Sequence, residues 1–279
     1  MTATIAVHDV IFSADTAKPA PARGGFTTAG SIVSAVVLVA FLSGWEACVR
    51  AGLMPSFLLP APSKLVLMFA TDIVSPAFLK EALYTIAEIV LGFGAGAVAG
   101  IGLGAAIALV PMIEQIAWPY VITLQTIPKV AIAPLLIIWF GFGIESKVLI
   151  VALICFFPIL VNAVAGFRST DARQVLLMDS MDATKWQLFR KVRLPNAVPF
   201  LIAGLQIAVV LSVIGAVVGE FLGASAGLGA LLVIRQSNMD VTGVFSILAT
   251  LSIIGLSMNL AVGQLSRRFA FWVDTSVKI

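Results

Sequence analysis

Charge is scarce in this chain of 279 residues. Asp, Glu, Lys and Arg make up 11% of it, against about 25% in soluble domains. With 60% hydrophobic residues and a mean hydropathy of +1.09, that shortage leaves little for a separate soluble domain. The composition is that of an integral membrane protein made almost wholly of spans. Histidine occurs once, at His8, which argues against a histidine-ligated metal centre and against any nucleophile–histidine pair. The two cysteines, Cys48 and Cys155, lie singly in apolar runs without metal or redox spacing and read as small core residues. Neither a glycine-rich phosphate cradle nor a Walker-type lysine occurs, so a nucleotide site on the chain itself is not expected. The net charge of +3 reflects topology, and nucleic acid is not an expected partner.

What the chain has is long apolar runs. Charge-free intervals cover 24–45, 89–113, 148–167, 194–219 and 241–266, and a sixth run, 115–144 after Glu114, is broken only by Lys129. About 20 apolar residues cross a bilayer core. Six helices are therefore expected near 31–49, 83–110, 117–140, 147–167, 197–222 and 243–266, within a membrane domain of residues 31–270. Residues 221–234 are too short and glycine-rich to span and read as a re-entrant or interfacial piece. Residues 1–30 lack the apolar core of a signal peptide and are expected to form a cytoplasmic tail, as are 271–279. With the N-terminus inside, eleven Lys and Arg fall on the cytoplasmic side and five outside. That bias places both termini and the 168–195 loop in the cytoplasm. Gly92, Gly96, Gly100 and Gly104 form one smooth helical stripe, suited to internal packing or to a subunit or pore-facing seam.

Nine charged side chains crowd into Arg168–Arg193, between two charge-free spans. Such an island cannot lie in lipid. Residues 174–181 and 183–193 suit two short helices, with Asp182 as N-cap of the second and Pro195 as its stop. Trp186, Phe189 and Val192 recur at i, i+3 and i+6, surrounded by Lys185, Arg190, Lys191 and Arg193. By pattern alone this is either an amphipathic helix resting on anionic lipid or a docking helix for a soluble partner, anchored by Trp186, Leu188 and Phe189.

The segment resembles the cytoplasmic loop of bacterial ABC importer permeases, in which Glu-Ala-Ala is followed by three residues, Gly, nine residues and Ile-x-Leu-Pro. Val192, Leu194 and Pro195 match its end. Leu176, Leu177 and Met178 replace Glu-Ala-Ala, and Asp182 holds the glycine position, which bears on the shape of the turn. WEACVRAGLMPSFLLPAPSK (45–64), TIPKVAIAPLLIIWFGFGIESK (126–147), FFPILVNAVAGF (156–167) and VIGAVVGEFLGASAGLG (213–229) resemble the nitrate/sulfonate/taurine branch over residues 40–270. FRKVRLPNAVPFLIAGL with SVIGAVVGEF looks most like permeases for thiamine-pyrimidine precursors and riboflavin.

The resemblance implies an all-α, polytopic, type I importer-like fold in a bacterial inner membrane. It also implies a second permease copy, a cytoplasmic ATPase dimer that carries ATP and Mg, and a periplasmic binding protein. No cofactor and no catalytic residue would belong to this chain. Coupling would rest on Asp179, Asp182, Ala183, Thr184, Lys185, Trp186, Leu188, Phe189, Arg190, Leu194 and Pro195. Polar groups inside spans are costly and mark candidate path or gate residues. Here these are Lys129, Asn162, Gln206 and Glu220, with Lys129 alternatively paired to Glu88 or Glu114. Glu145 and Lys147 are expected on an exposed outer turn. A secondary transporter would show inverted repeats and carboxylates or histidines for ion coupling, and neither a repeat nor a second histidine is present.

Overall fold

Proline opens three of the helices of this protein. In the computed structural model, which describes residues 28–55 and 58–269, α2 (Pro62–Val74), α3 (Pro76–Leu109) and α4 (Pro111–Thr126) all begin on that residue. At the first helical position its missing N–H costs nothing and its fixed φ is already helical. Every regular element among the described residues is a helix. His8 and the expected tails, 1–30 and 271–279, fall wholly or largely outside those residues.

The chain divides into two compact units. The described part of the first is α1 (Thr28–Arg50), a helix apolar on all sides, as a span must be. Glu46 and Arg50, one turn apart on it, pair at 2.7 Å. Cys48 is exposed on this helix rather than in a core, whereas Cys155 is buried.

The second unit is built around α6 (Ile144–Arg168), which is apolar along its length and half buried. α3 runs parallel to it. A methyl group on Gly96 would lie 2.8 Å from the carbonyl of Ala152, and one on Gly100 would lie 3.0 Å from that of Phe156. Gly92 and Gly104 meet Val151 and Ala163 in the same way, so the glycine stripe is the α3–α6 contact. α9 (Leu194–Phe221) runs antiparallel along another face, where Gly204 meets Asn162, Gly215 meets Val151 and Gly219 meets Lys147.

The third expected span is not one helix. α4 and α5 (Lys129–Phe140) meet at a 94° bend. Pro128 excludes its predecessor from helical geometry, and Ile127 is extended at φ −69°, ψ 127°. The expected stop at Pro195 is also absent. α7 (Ala172–Ser180) is followed by α8 (Lys185–Leu188), then by a π-helical turn over Phe189–Arg193 that leads directly into α9. In that turn the Leu194 amide donates to the carbonyl of Phe189, five residues back. The wider turn accommodates the ring of Pro195 where an α-turn would clash with it. A 37-residue helical run, Lys185–Phe221, results, charged at its start and apolar beyond Arg193. Residues 221–234 form the end of α9, a turn and most of α10 (Leu228–Ser237), and α11 (Val241–Phe269) packs on α9 and α2.

Gly96→Ala should drive α3 from α6 and cost about 1–3 kcal/mol, the usual range for overpacking. Gly94→Ala meets nothing within 4 Å and should be neutral or slightly stabilising. Thermal unfolding of the two variants in the same detergent checks the difference.

Candidate functional site

The loop after α6 is folded and fastened. At its start Arg168 pairs with Glu114 of α4 and lies over the ring of Trp118, 5.6 Å from the centroid. At its end Asn196 donates to Gln174 at 2.7 Å. Phe189 turns inward. Its ring stacks on Phe167 of α6 at 5.8 Å and under Trp186 at 5.6 Å, and it packs with Ala163, Ala197 and Leu201. Phe189 therefore anchors the loop to its own bundle and is not offered to a groove. Leu188, Leu194 and Pro195 are half-buried beside it, while Asp179, Lys185 and Arg190 are exposed. The exposed apolar groups are Leu176, Leu177, Met181 and Trp186, each 63–70% accessible.

Asp182 does not cap the second helix. Thr184 does, accepting from the Gln187 amide at 3.2 Å while the Gln187 side chain accepts from the Thr184 amide at 2.8 Å. Asp182 instead has φ +50°. Its amide donates to the Asp179 carbonyl, and that of Ala183 donates to Met178, both at 3.1 Å. This paired arrangement closes helices through a left-handed residue, usually glycine. Asp is among the few other side chains that tolerate it, so Asp182 can hold the turn.

A cavity of about 400 Å³ opens at the α4–α5 break. Lys129 and Asn162 line it, joined by Gln125 and Phe157, which sequence analysis passed over, and by aliphatic side chains of α6 and α9. The Lys129 ammonium donates to the Gln125 carbonyl at 2.5 Å and lies 5.0 Å from the centroid of Phe157. Neither Glu88 nor Glu114 pairs with it. Glu114 is taken by Arg168, and Glu88 is buried near Lys147 and Glu220. Gln206 is exposed on α9, outside the lining.

Glu220 also lies elsewhere, beside the turn that leads into α10. Only 1% exposed, it accepts from Thr85 at 2.6 Å and from the Gly229 amide at 2.5 Å. Thr85 accepts from the Leu228 amide at 2.8 Å, and Glu81 from that of Gly227 at 2.6 Å. Three backbone N–H groups that open α10 are thus satisfied by two carboxylates and a hydroxyl, at the positive end of the helix dipole. Lys147 is buried in the same cluster, 2% exposed, and donates to the carbonyls of Phe142 and Gly143, so the expected exposed turn keeps only Glu145 at the surface. Asp72 of α2 clasps the far end of α10, receiving both terminal nitrogens of Arg235 at 2.6 and 2.7 Å and the Ser246 hydroxyl at 2.5 Å. Burial works against its ionisation, but the bonds from Arg235 and Ser246 outweigh that and hold its carboxyl below the ordinary value. No group of metal-ligating side chains occurs among the described residues.

Residues 96–271, a stretch that includes α6, the fastened loop, the cavity's α5 and α9 walls and α10, match the family described as the binding-protein-dependent transport system inner membrane component. The chain belongs to this family. It is a polytopic ABC transporter permease subunit, a transport component rather than a catalyst. It is 37% identical over 237 residues to the riboflavin transport system permease protein of Chloroflexus aurantiacus, covering 85% of this chain and 88% of that one. It is also 37% identical over 228 residues to the formylaminopyrimidine transport permease protein of Halalkalibacterium halodurans, covering 82% and 90%. The fold matches an inward-facing methionine ABC transporter with a TM-score of 0.62 at 18% identity, over 69% of this chain and 96% of that one.

Asp182→Gly should leave the loop intact or firmer. Asp182→Val, β-branched at a left-handed position, should weaken the turn by about 1–2 kcal/mol. Amide hydrogen exchange at Ala183 and Thr184 reads the difference directly, with faster exchange in the valine variant only.

Proposed function

We propose that two copies of this chain form the bacterial inner-membrane path of an ATP-driven importer. A cytoplasmic ATPase dimer, holding ATP and Mg, would drive it, and a periplasmic protein would deliver a small polar solute. The observation that carries this is the exposed apolar crest of Leu176, Leu177, Met181 and Trp186 on a fastened loop. A docking surface needs apolar anchors in the open and a rigid base beneath them. The base here is Phe189 against Phe167 and the pairing of Arg168 with Glu114. Because α8 continues through the π-turn into α9, a pull on the crest moves α6 and α9 together, and these two helices wall the cavity.

The excess of basic residues at the loop end supports a cytoplasmic loop and termini, which leaves α10 to face the binding protein. The solute is a small ring-bearing molecule. Similarity supports this, at 37% to the riboflavin and formylaminopyrimidine permeases against 29% to an aliphatic sulfonate permease of Bacillus subtilis and 28% to the taurine permease of Escherichia coli. An organic anion is the remaining alternative within the family.

Leu176→Asp and Leu177→Asp should each leave insertion and thermal stability unchanged while the ATPase no longer co-purifies. Transport should fall by about 30-fold or more, as when an interface anchor is lost. Phe189→Asp should behave differently and lower thermal stability, because it places a carboxylate between aromatic rings. Retention of ATPase and normal transport by both crest variants would overturn the docking assignment.

A further inference from the structure

Lys129 is in an expensive place. The Phe157 ring beside it lies thirteen residues from Ile144 and eleven from Arg168 along α6, or roughly 16–20 Å from either end at about 1.5 Å per residue. A four-carbon stem cannot carry the ammonium from there to either interface. Lys129 is also the first residue of α5, where the helix dipole repels a cation. No carboxylate among the described residues pairs with it. An unpaired charge at mid-membrane depth belongs to a pathway far more often than to packing.

The bonds around it define what it can receive. An ammonium has three donors; one is used by the Gln125 carbonyl, and a second direction is covered by the face of Phe157. Asn162 donates to the Pro158 carbonyl at 2.8 Å, which leaves its side-chain oxygen to accept. The cavity of about 400 Å³ carries no other charge and is otherwise mostly aliphatic, within the size range of small-molecule sites. A donor and an acceptor within an apolar wall match a ring with polar atoms on its edge.

We propose that Lys129 and Asn162 form a solute station midway across the membrane that selects nitrogen heterocycles. Lys129 donates to a ring carbonyl or ring nitrogen, Asn162 accepts from a ring or amino N–H, and the aliphatic wall takes the ring, while Phe157 supports the ammonium from behind. The station rests on the cavity being part of the path, so the experiment separates the two. The complete transporter, with its ATPase, is placed in nanodiscs, and binding of riboflavin, an aminopyrimidine and taurine is measured without the binding protein. The expected result is saturable binding of at least one heterocycle and none of taurine. Lys129→Met and Lys129→Gln should weaken it by about tenfold or more, the loss of one charge-assisted hydrogen bond, and Lys129→Arg should weaken it less. Unchanged melting temperature and subunit composition show that the variants are folded. Val130→Cys, lining the same cavity, is labelled in parallel with a water-soluble maleimide. Labelling that depends on ATP, with binding insensitive to all three Lys129 variants, overturns the station but leaves the path. No labelling in any nucleotide state overturns both. Binding of neither heterocycle, or of taurine equally well, overturns the proposed selectivity.

Discussion

The close approach of α3 and α9 to α6 is the constraint on which the rest depends. Lipid is as apolar as leucine, so burial alone supplies little drive for helices to associate within a bilayer. Contact must come from backbone surfaces near enough for dispersion to add up. Gly96 and Gly100 bring α3 onto the carbonyls of α6, while Gly204, Gly215 and Gly219 bring α9 onto an adjoining face. α6 is thereby a rod gripped along its length. Its loop end is pinned to α4 by Arg168, and its other end holds Lys147 within the buried cluster under α10. Movement of the loop must displace this rod as a body, because a packed core yields by shifting between arrangements rather than by bending.

Polar groups in the bundle divide by how completely they are satisfied. Glu81, Glu220 and Thr85 close off the amides that open α10, and Asp72 with Ser246 closes off Arg235. Such groups fix a segment that could not otherwise remain buried without water. Lys129 is the contrast: its partners are one carbonyl and a ring face, and it borders open space. The same cost of burial gives a structural role where bonds are complete and a functional one where a donor is left over.

Much of this was legible in the sequence, for reasons of periodicity and charge. Spans longer than twenty apolar residues have no other stable place, and the four-residue glycine repeat declares a smooth face. The charged island between spans had to lie outside the bilayer. Residues whose environment depends on distant chain segments were misjudged. Phe189 looked like an exposed anchor because helical spacing cannot say which face meets Phe167, twenty-two residues earlier. Glu220 looked like a path or gate group and Lys147 like an exposed one, because nothing local announces the hydroxyl of Thr85 or the turn before α10. The α4–α5 break was signalled by Pro128, but proline is tolerated within membrane helices, so its presence fixed neither the angle nor the cavity. Asp182 was read as a cap on side-chain chemistry, whereas the Asp179 and Met178 carbonyls needed a left-handed residue.

The π-turn before Pro195 links these points. An ordinary proline stop would have made the loop helix a separate body on a flexible joint, and force applied to it would have been dissipated there. A proline at the first turn of α9 removes one N–H, and the turn before it widens so that Leu194 reaches Phe189. Helical geometry therefore persists from Lys185 to Phe221. Phe189, the residue that accepts this bond, is also the one clamped between Trp186 and Phe167. The joint thus coincides with the anchor, and a displacement of Trp186 is shared between the end of α6 and the start of α9. Both helices face the cavity at Lys129. One aromatic stack and one widened turn thus make a stiff connection between an exposed crest and a buried cavity wall.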